Sequence, residues 1–186
     1  RNLSDCDDTE VMVRALNSND RDFDIKAAGT AMRFLTAFLS KVVGEWTITG
    51  TERMKNRPIK ILVDALNALG ARVEYMEKEG YPPLRIFGSA LQGGEISLAG
   101  GVSSQYISAL LMIAPLMENG LTLHLEGAVI SKPYINLTLQ LMEQYGVKAE
   151  WNGQTIQVRP QDYHPIPFTV ESDWSAASYW YSMMAL

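Results

Sequence analysis

Hydrophobic positions along the chain alternate between helical and strand periods. Apolar side chains recur three and four positions apart over residues 59–69, which predicts an amphipathic helix. Residues 71–75 and 84–87 alternate apolar and polar side chains, which predicts two strands. The same order, a helix followed by two strands, returns over residues 134–158. The pattern therefore predicts a helix–strand–strand unit that occurs twice.

The residues predicted to begin and end the helix of each copy keep almost the same spacing. A basic residue followed by proline is predicted to open each helix, at Arg57 and at Lys132, 75 positions apart. A glycine is predicted to end each helix, at Gly70 and at Gly146, 76 positions apart. Another helix and strand precede each copy, so each complete unit has the pattern βαβαββ.

Partial copies of this unit flank the two complete ones. Residues 168–184 resemble 96–112, with Ser175 in the place of Ser103, and residues 1–17 resemble the second half of a unit. The chain is therefore expected to begin and end inside a repeat, as a fragment of a longer protein. Repetition of this kind predicts an α+β fold in which the units pack around a pseudo-symmetry axis.

Composition narrows the class of protein. The 186 residues are 47% hydrophobic, enough for a globular core, and the net charge of −5 disfavours a nucleic-acid-binding protein. A single cysteine, Cys6, excludes an internal disulfide framework and a cysteine zinc cluster, and agrees with a cytoplasmic location. The most apolar stretch, residues 107–117, is shorter than the roughly 20 residues that span a bilayer, so it predicts a buried helix and no membrane partner.

Three loops at predicted helix starts carry side chains suited to anions. Residues 53–57 contain three cations, residues 100–105 contain two glycines, two serines and a glutamine, and residues 27–33 are mostly small. Such loops place backbone N–H groups and polar side chains around phosphate or carboxylate. Each has an ordinary alternative, namely a solvated loop, a serine N-cap and a tight turn. The third loop lacks the Gly-Lys-Ser/Thr ending of a P-loop, which disfavours nucleotide binding of that type.

Other polar groups suggest structural roles. The Asp-x-Asp-x-Thr string at residues 5–9 resembles that of phosphoryl-aspartate phosphatases, but no buried strand precedes it and a capped helix start is favoured. His124 lies in a predicted strand and His164 in a proline-rich connection. Neither has a partner at metal-ligand or catalytic-triad spacing, so no metal site is expected.

Six motifs in collinear order resemble those of the EPSP synthase family. They cover nearly the whole chain, and together they are far more specific than any one of them. They lie at residues 29–33 (GTAMR), 53–58 (RMKNRP), 81–84 (YPPL), 103–106 (SSQY), 131–134 (SKPY) and 170–179 (VESDWSAASY).

The resemblance implies a particular architecture. Members of this family have two similar domains, each built of three βαβαββ units around a pseudo-threefold axis, with helices inside and sheets outside. On this basis residues 1–186 are expected to form most of the N-terminal substrate-binding domain, incomplete at both ends, with the C-terminal domain absent.

The resemblance also implies an enzyme activity. The family transfers the carboxyvinyl group of phosphoenolpyruvate to the 5-hydroxyl of shikimate 3-phosphate, in the shikimate pathway that leads to chorismate and the aromatic amino acids. It uses no metal or organic cofactor. The expected partners are these two substrates and the missing C-terminal domain. The family's general acid and base groups would lie in the missing segments, so this chain is expected to contain no catalytic residue and to be inactive alone.

Binding residues carry over by their positions in the motifs. The resemblance implies shikimate 3-phosphate contacts from Ser103, Ser104, Gln105, Ser131 and Tyr134. It implies phosphoenolpyruvate contacts from Gly29, Arg53 and Gln105, with Arg33 as a supporting cation.

Three positions depart from the family pattern. Ala27 stands where the family usually has asparagine, Phe34 stands where many relatives have proline, and the connection over residues 17–26 is shorter than usual. Two alternatives stay open. One is another enolpyruvyl transferase, disfavoured because its reactive-cysteine loop is not seen and Cys6 lies elsewhere. The other is a non-catalytic phosphate-binding or anion-binding module of the same architecture.

Overall fold

The computed structural model describes residues 1–172 and 174–185. In this part of the chain the helices are α1 Asp7–Asn17, α2 Gly29–Lys41, α3 Glu52–Lys55, α4 Lys60–Ala68, α5 Ser104–Ile113, α6 Lys132–Gln144 and α7 Trp174–Met184. The strands are β1 Asp22–Asp24, β2 Gly44–Thr49, β3 Arg72–Tyr75, β4 Leu84–Gly88, β5 Gly94–Ala99, β6 Leu121–Glu126, β7 Ala149–Asn152 and β8 Thr155–Val158.

The strands form two four-stranded sheets of identical topology. Their orders are β1-β2-β4-β3 and β5-β6-β8-β7. In each sheet the first two strands of the unit are parallel and the remaining pairs are antiparallel. The predicted α+β fold with a repeated βαβαββ unit is therefore confirmed, with α2 and α5 as the crossover helices of the two parallel pairs.

Residues near the two ends of the chain are hydrogen-bonded to each other. The amino group of Arg1 donates to the carbonyl oxygen of Phe168 at 2.8 Å. The N–H of Val170 donates to the carbonyl oxygen of Arg1 at 3.1 Å. Arg1 thus bonds to the residues before and after position 169, and this is the hydrogen-bond pattern of two parallel strands. The partial copies expected at the ends thus lie side by side. Asp173 and the side chain of Ser175, both in the last motif, lie outside the described residues.

Both predicted glycine helix ends are confirmed. Gly70 has a φ of 96° and Gly146 a φ of 90°, in the left-handed region that favours glycine. In each case the residue after the glycine donates its N–H five positions back, from Ala71 to Leu66 and from Val147 to Met142. These are the bonds of a Schellman motif, so the local sequence alone determines where α4 and α6 end.

The predicted start of α4 at Arg57 is wrong by three residues, whereas that of α6 at Lys132 is right. Pro133 lies in the first turn of α6, but Arg57 and Pro58 lie in the link between α3 and α4. The reason is tertiary: the N–H of Ile59 donates to the carbonyl oxygen of Gly80 at 2.9 Å. That bond holds the chain out of helical geometry until Lys60.

The core lies between the sheets and the central helices α2 and α5. The residues of α5 from Tyr106 to Leu111 are all buried, which confirms the predicted buried helix. In α2 the hydroxyls of Thr36 and Ser40 are buried and donate to carbonyl oxygens four residues back, at 2.7 and 2.8 Å. Because these small hydroxyl groups hydrogen-bond within their own helix, α2 can pack closely on its neighbours without leaving them unpaired.

Two polar segments that the sequence predicts to be structural lie in regular elements. The Asp-rich string lies at the start of α1, with Asp7 and Asp8 in the first turn, where carboxylates favour the helix N-terminus. The expected side-chain cap is not formed, because the N-cap residue is Cys6 and it makes no capping bond. His124 lies in β6 and contacts Glu95 and Thr155 at 2.7 and 2.9 Å. Among the described residues no helix is long and apolar enough to cross a membrane, and none of their side chains form a metal-binding cluster.

The end of β4 packs directly on the last turn of α2. Gly88 lies so close that a Cβ there would collide with the carbonyl oxygens of Leu39 and Val42. The N–H of Ser89 donates to the carbonyl oxygen of Ser40 at 3.0 Å in the same contact. Because both partners are backbone, the structure has no side chain that could move aside.

Substitution Gly88→Ala should therefore destabilise the protein by about 2 kcal/mol or more. The measurement is the free energy of unfolding in urea. Gly101→Ala is the matched control, because a Cβ there meets only Ile130 Cδ1, at an ordinary 3.7 Å. We expect the control to stay within about 0.5 kcal/mol of the parent. Equal stability of the two variants would contradict the close backbone approach.

Candidate anion-binding site

Two pairs of loops follow the carboxyl ends of the two parallel strand pairs. Beyond β1 and β2, the N–H of Thr51 donates to the carbonyl oxygen of Lys26 at 3.0 Å. Beyond β5 and β6, the N–H of Gly100 donates to the carbonyl oxygen of Glu126 at 2.6 Å. Loops at the carboxyl ends of neighbouring parallel strands are where α/β sheets commonly bind ligands. The repeat therefore builds two such places, one in each unit.

The first place is dominated by arginine. Arg33 is only 5% exposed, and its Nη1 donates to the carbonyl oxygen of Gly29 at 2.7 Å. Its Nε has no hydrogen-bond partner among the residues that the structure describes. The guanidinium of Arg57 lies against the same glycine, where a Cβ would collide with it. Gly29 is thus the position that lets two guanidinium groups approach the N-terminus of α2. A buried N–H without an acceptor is costly, and a bound anion would satisfy it.

The positive charges of this cluster are not paired in salt bridges with the carboxylates that the structure describes. The pKa of Arg57 is lowered, chiefly by burial and next by the positive charges of Arg33 and Arg53. Asp8 raises it only slightly, as the smallest of the contributions. Within the described residues, none of the three arginines forms a salt bridge. Like charges held together without counter-ions are typical of a site that binds an anion.

The second place combines serines, an amide and a phenol at the starts of α5 and α6. Ser103 is the N-cap of α5, and its Oγ accepts from the N–H of Gln105 at 3.3 Å. Ser131 is the N-cap residue of α6, but its side chain makes no capping bond. Tyr134, in the first turn of α6, is 61% exposed. The ordinary capping role therefore holds for Ser103, whereas the hydroxyl of Ser131 is left for other partners.

A cleft of about 700 Å³ runs along α2, α5 and α6. The residues at the N-terminal ends of these helices are mostly polar: Thr30, Ser104, Gln105 and Tyr134. Those further along the helices are mostly apolar, among them Met112, Leu137, Leu141 and Tyr145. The polar end of the cleft is lined by Thr30 from the start of α2 and by Ser104 and Gln105 from the start of α5.

One side chain links the two places directly. Gln105, at the start of α5, donates through Nε2 to the hydroxyl of Thr30, at the start of α2, at 3.2 Å. The N-termini of the two central helices are therefore neighbours, and their free N–H groups add positive potential to the cluster. A role of Gln105 in binding both ligands stays a prediction.

The structure also adds a residue that sequence reasoning did not select. Arg57 belongs to the cation-rich loop over residues 53–57, from which the family resemblance implies only Arg53 as a binding residue. Arg53 is exposed, whereas Arg57 is partly buried against Gly29. The signal available in the sequence was the three cations over residues 53–57, and it could not show which of them turns inward.

Comparison with known proteins agrees with these observations. The family model for EPSP synthase (3-phosphoshikimate 1-carboxyvinyltransferase) matches residues 2–186. A 3-phosphoshikimate 1-carboxyvinyltransferase of Bacteroides fragilis is 65% identical over 186 residues, which are 100% of this chain and 45% of that protein. One of Pseudoalteromonas atlantica is 44% identical over 192 residues, covering 99% of this chain and 44% of its own length.

Solved structures show the same fold. The structure of EPSP synthase from Acinetobacter baumannii superposes with a TM-score of 0.75 at 21% sequence identity, covering 87% of this chain and 36% of that one. This chain therefore spans less than half the length of the curated relatives described above. The match over residues 2–186 confirms the resemblance carried by the six motifs, and the chain belongs to the EPSP synthase family.

Proposed function

We propose that this chain supplies one part of the site of a 3-phosphoshikimate 1-carboxyvinyltransferase. The reaction transfers the carboxyvinyl group of phosphoenolpyruvate to the 5-hydroxyl of shikimate 3-phosphate and releases phosphate. The observation that carries the proposal is the cluster of Arg33, Arg53 and Arg57, which the described carboxylates leave without a salt bridge. Both substrates are multiply anionic, so such a cluster suits the chemistry.

The arginine cluster is assigned to phosphoenolpyruvate. Gly29 offers the N-terminus of α2 and the space for close approach, Gln105 offers an amide, and the arginines offer positive charge. Arg33 has an unpartnered buried Nε, which supports its role as a direct ligand. Fixed charge of this kind also stabilises negative charge that develops in a transition state, because it needs no reorganisation.

The loops of the second unit are assigned to shikimate 3-phosphate. The proposed phosphate ligands are Ser103, Ser104, Gln105 and Ser131, and Tyr134 lies beside the ring. Ser104 and Tyr134 line the polar end of the cleft, and the hydroxyl of Ser131 makes no capping bond. Hydroxyl and amide donors at helix N-termini are suited to phosphate oxygens.

In this proposal the chain binds the substrates but does not supply the general acid and base groups of the reaction. We assign residues 1–186 to the N-terminal substrate-binding domain of a longer protein, with the general acid and base groups in a C-terminal domain that closes over the substrates. No metal or organic cofactor is assigned. Small phosphorylated substrates and a single cysteine are typical of a cytoplasmic protein, which is the location we propose.

An NMR titration of this chain tests the assignment of the second place. Shikimate 3-phosphate should give saturable shifts at the amides of Ser104, Gln105 and Ser131, larger than those given by phosphate or shikimate at equal concentration. Ser104→Ala should weaken this binding about fivefold, the effect of one hydrogen bond. Ser97→Ala, on an exposed position of β5, is the control and should bind as the parent does. Equal shifts with all three compounds would instead favour a general anion-binding module.

Substitution Arg57→Met tests the arginine cluster. Affinity for phosphoenolpyruvate should fall at least tenfold, because a charge-assisted hydrogen bond is worth about 1.5–3 kcal/mol. The thermal midpoint of unfolding should stay the same or rise, since a like charge is removed from the neighbourhood of Arg33 and Arg53. Calorimetric titration and thermal melts measure the two effects.

Arg72→Met is the matched control for that variant. Arg72 is exposed on β3 and its guanidinium bonds to Glu74 at 2.8 Å, away from the cluster. We expect its affinity for phosphoenolpyruvate to stay within twofold of the parent. An Arg57→Met variant with parental affinity would remove Arg57 from the proposed site.

A further inference from the structure

Ser108 is a buried polar residue of α5 whose hydrogen bond leaves its own helix. It is 4% exposed, and its Oγ lies 2.7 Å from Oγ1 of Thr138 in α6. The buried hydroxyls of α2 behave differently, because those of Thr36 and Ser40 donate to carbonyl oxygens of α2 itself. Ser108 therefore joins two helices, where the comparable side chains of α2 bond within one.

The number of hydroxyl protons fixes the direction of this contact. Thr138 has one hydroxyl proton and donates it to the carbonyl oxygen of Tyr134 at 3.1 Å. The proton between the two hydroxyl groups must then come from Ser108, which donates to Thr138. The two bonds form a chain from α5, through Thr138, to the backbone of the first turn of α6. Both hydroxyl side chains line the same cleft as Tyr134.

The start of α6 is held less firmly by packing than α5 is. Most of α5 is buried, whereas the buried residues of α6 are Ile135 and Met142. Ser131 makes no side-chain capping bond, and Pro133 has no N–H to donate. A part-buried hydrogen bond to α5 therefore matters more for the position of this turn than it would in a well-packed helix.

We propose that Ser108 and Thr138 are positioning residues that hold the starts of α5 and α6 together as one binding surface for shikimate 3-phosphate. The inference rests on the proposed function, which places ligands of this substrate at the starts of both helices. Ser108 lies one turn after Ser104, and Thr138 lies one turn after Tyr134, so the bond ties the helices directly behind those residues. A ligand that contacts both helices binds more tightly when they are already held in place, because less conformational freedom is lost.

Two substitutions of Thr138 separate its hydroxyl from its shape. Thr138→Val removes the hydroxyl at nearly the same volume, whereas Thr138→Ser keeps the hydroxyl and loses a methyl group. The dissociation constant for shikimate 3-phosphate should rise about fivefold in Thr138→Val and stay within twofold of the parent in Thr138→Ser. Titration calorimetry gives both values. Parental affinity in Thr138→Val, or equal weakening in the two variants, would overturn the proposal.

Ser108→Ala removes the other partner of the same bond. It should also weaken shikimate 3-phosphate binding about fivefold, and the double variant with Thr138→Val should bind as weakly as Thr138→Val alone. Two changes that break one shared bond are not additive in free energy, whereas two independent losses of packing are. A double variant weakened by the product of the two single effects would contradict the shared bond and overturn the proposal.

Thr36→Val is the matched control. Thr36 donates to the carbonyl oxygen four positions back in α2, as Thr138 does in α6, but its hydrogen bonds stay within α2. This variant therefore loses the same intrahelical bond without releasing one helix from another. We expect a drop in thermal midpoint at least as large as that of Thr138→Val, with an affinity for shikimate 3-phosphate within twofold of the parent. A fivefold loss of affinity in this control would overturn the proposal.

Hydrogen exchange without ligand separates this inference from the proposed function. The amide of Ile135, in the first turn of α6, donates to the carbonyl oxygen of Ser131 at 3.3 Å. Its exchange should become about fivefold faster in Ser108→Ala and stay at the parental rate in Thr36→Val. If the parent binds shikimate 3-phosphate no more tightly than inorganic phosphate, the proposed function fails. The exchange rate then decides alone: a faster rate in Ser108→Ala supports the positioning role, and an unchanged rate overturns it.

Discussion

The parallel strand pair that begins each unit determines where everything else lies. Two parallel strands cannot be joined by a tight turn, so a helix must return the chain to the same end of the sheet. In both sheets that helix, α2 or α5, is central and buried, and its N-terminus lies at the carboxyl end of the pair. The following loop, before α4 or α6, starts at the same edge. In each unit the backbone topology alone therefore places two loops, each leading into a helix, next to each other at one edge of the sheet.

The arginine cluster works against stability and in favour of binding. Burial and the charges of Arg33 and Arg53 both lower the pKa of Arg57, so holding these cations together costs free energy in the unliganded protein. The direction of the pKa shift means that the cost is present while Arg57 is protonated and would be relieved only at strongly alkaline pH. The surrounding packing keeps the cluster in place: Gly29 leaves the space, and the ring of Tyr106 supports the guanidinium of Arg33. A bound anion would offset the repulsion, which is a physical reason for the site to prefer ligands of high negative charge.

The sequence predicted those features that depend on neighbours along the chain. The Schellman ends at Gly70 and Gly146 follow from a glycine after an apolar turn, and the duplicated spacing gave the repeat that both sheets confirm. Features that depend on distant residues were not predictable from it. The start of α4 is displaced because Ile59 bonds to Gly80, and the inward orientation of Arg57 depends on Gly29, 28 positions earlier. The carried-over ligands, such as Arg53 and Ser131, stay predictions, because their positions agree with a ligand site without testing it.

The contact between Gln105 and Thr30 joins the candidate binding sites of the two units into one surface. Duplication by itself would give two equivalent anion sites, each serving its own ligand. Here the side chain at the start of α5 reaches the side chain at the start of α2 at 3.2 Å, so the two helix N-termini form a single polar surface at one end of the cleft. The units have also diverged in chemistry, since the first presents arginines and the second presents serines and a tyrosine. A pair of ligands bound at that surface would lie side by side and in different electrostatic environments. Under the proposed function this arrangement would let the reacting atoms approach each other while each phosphate keeps its own set of donors.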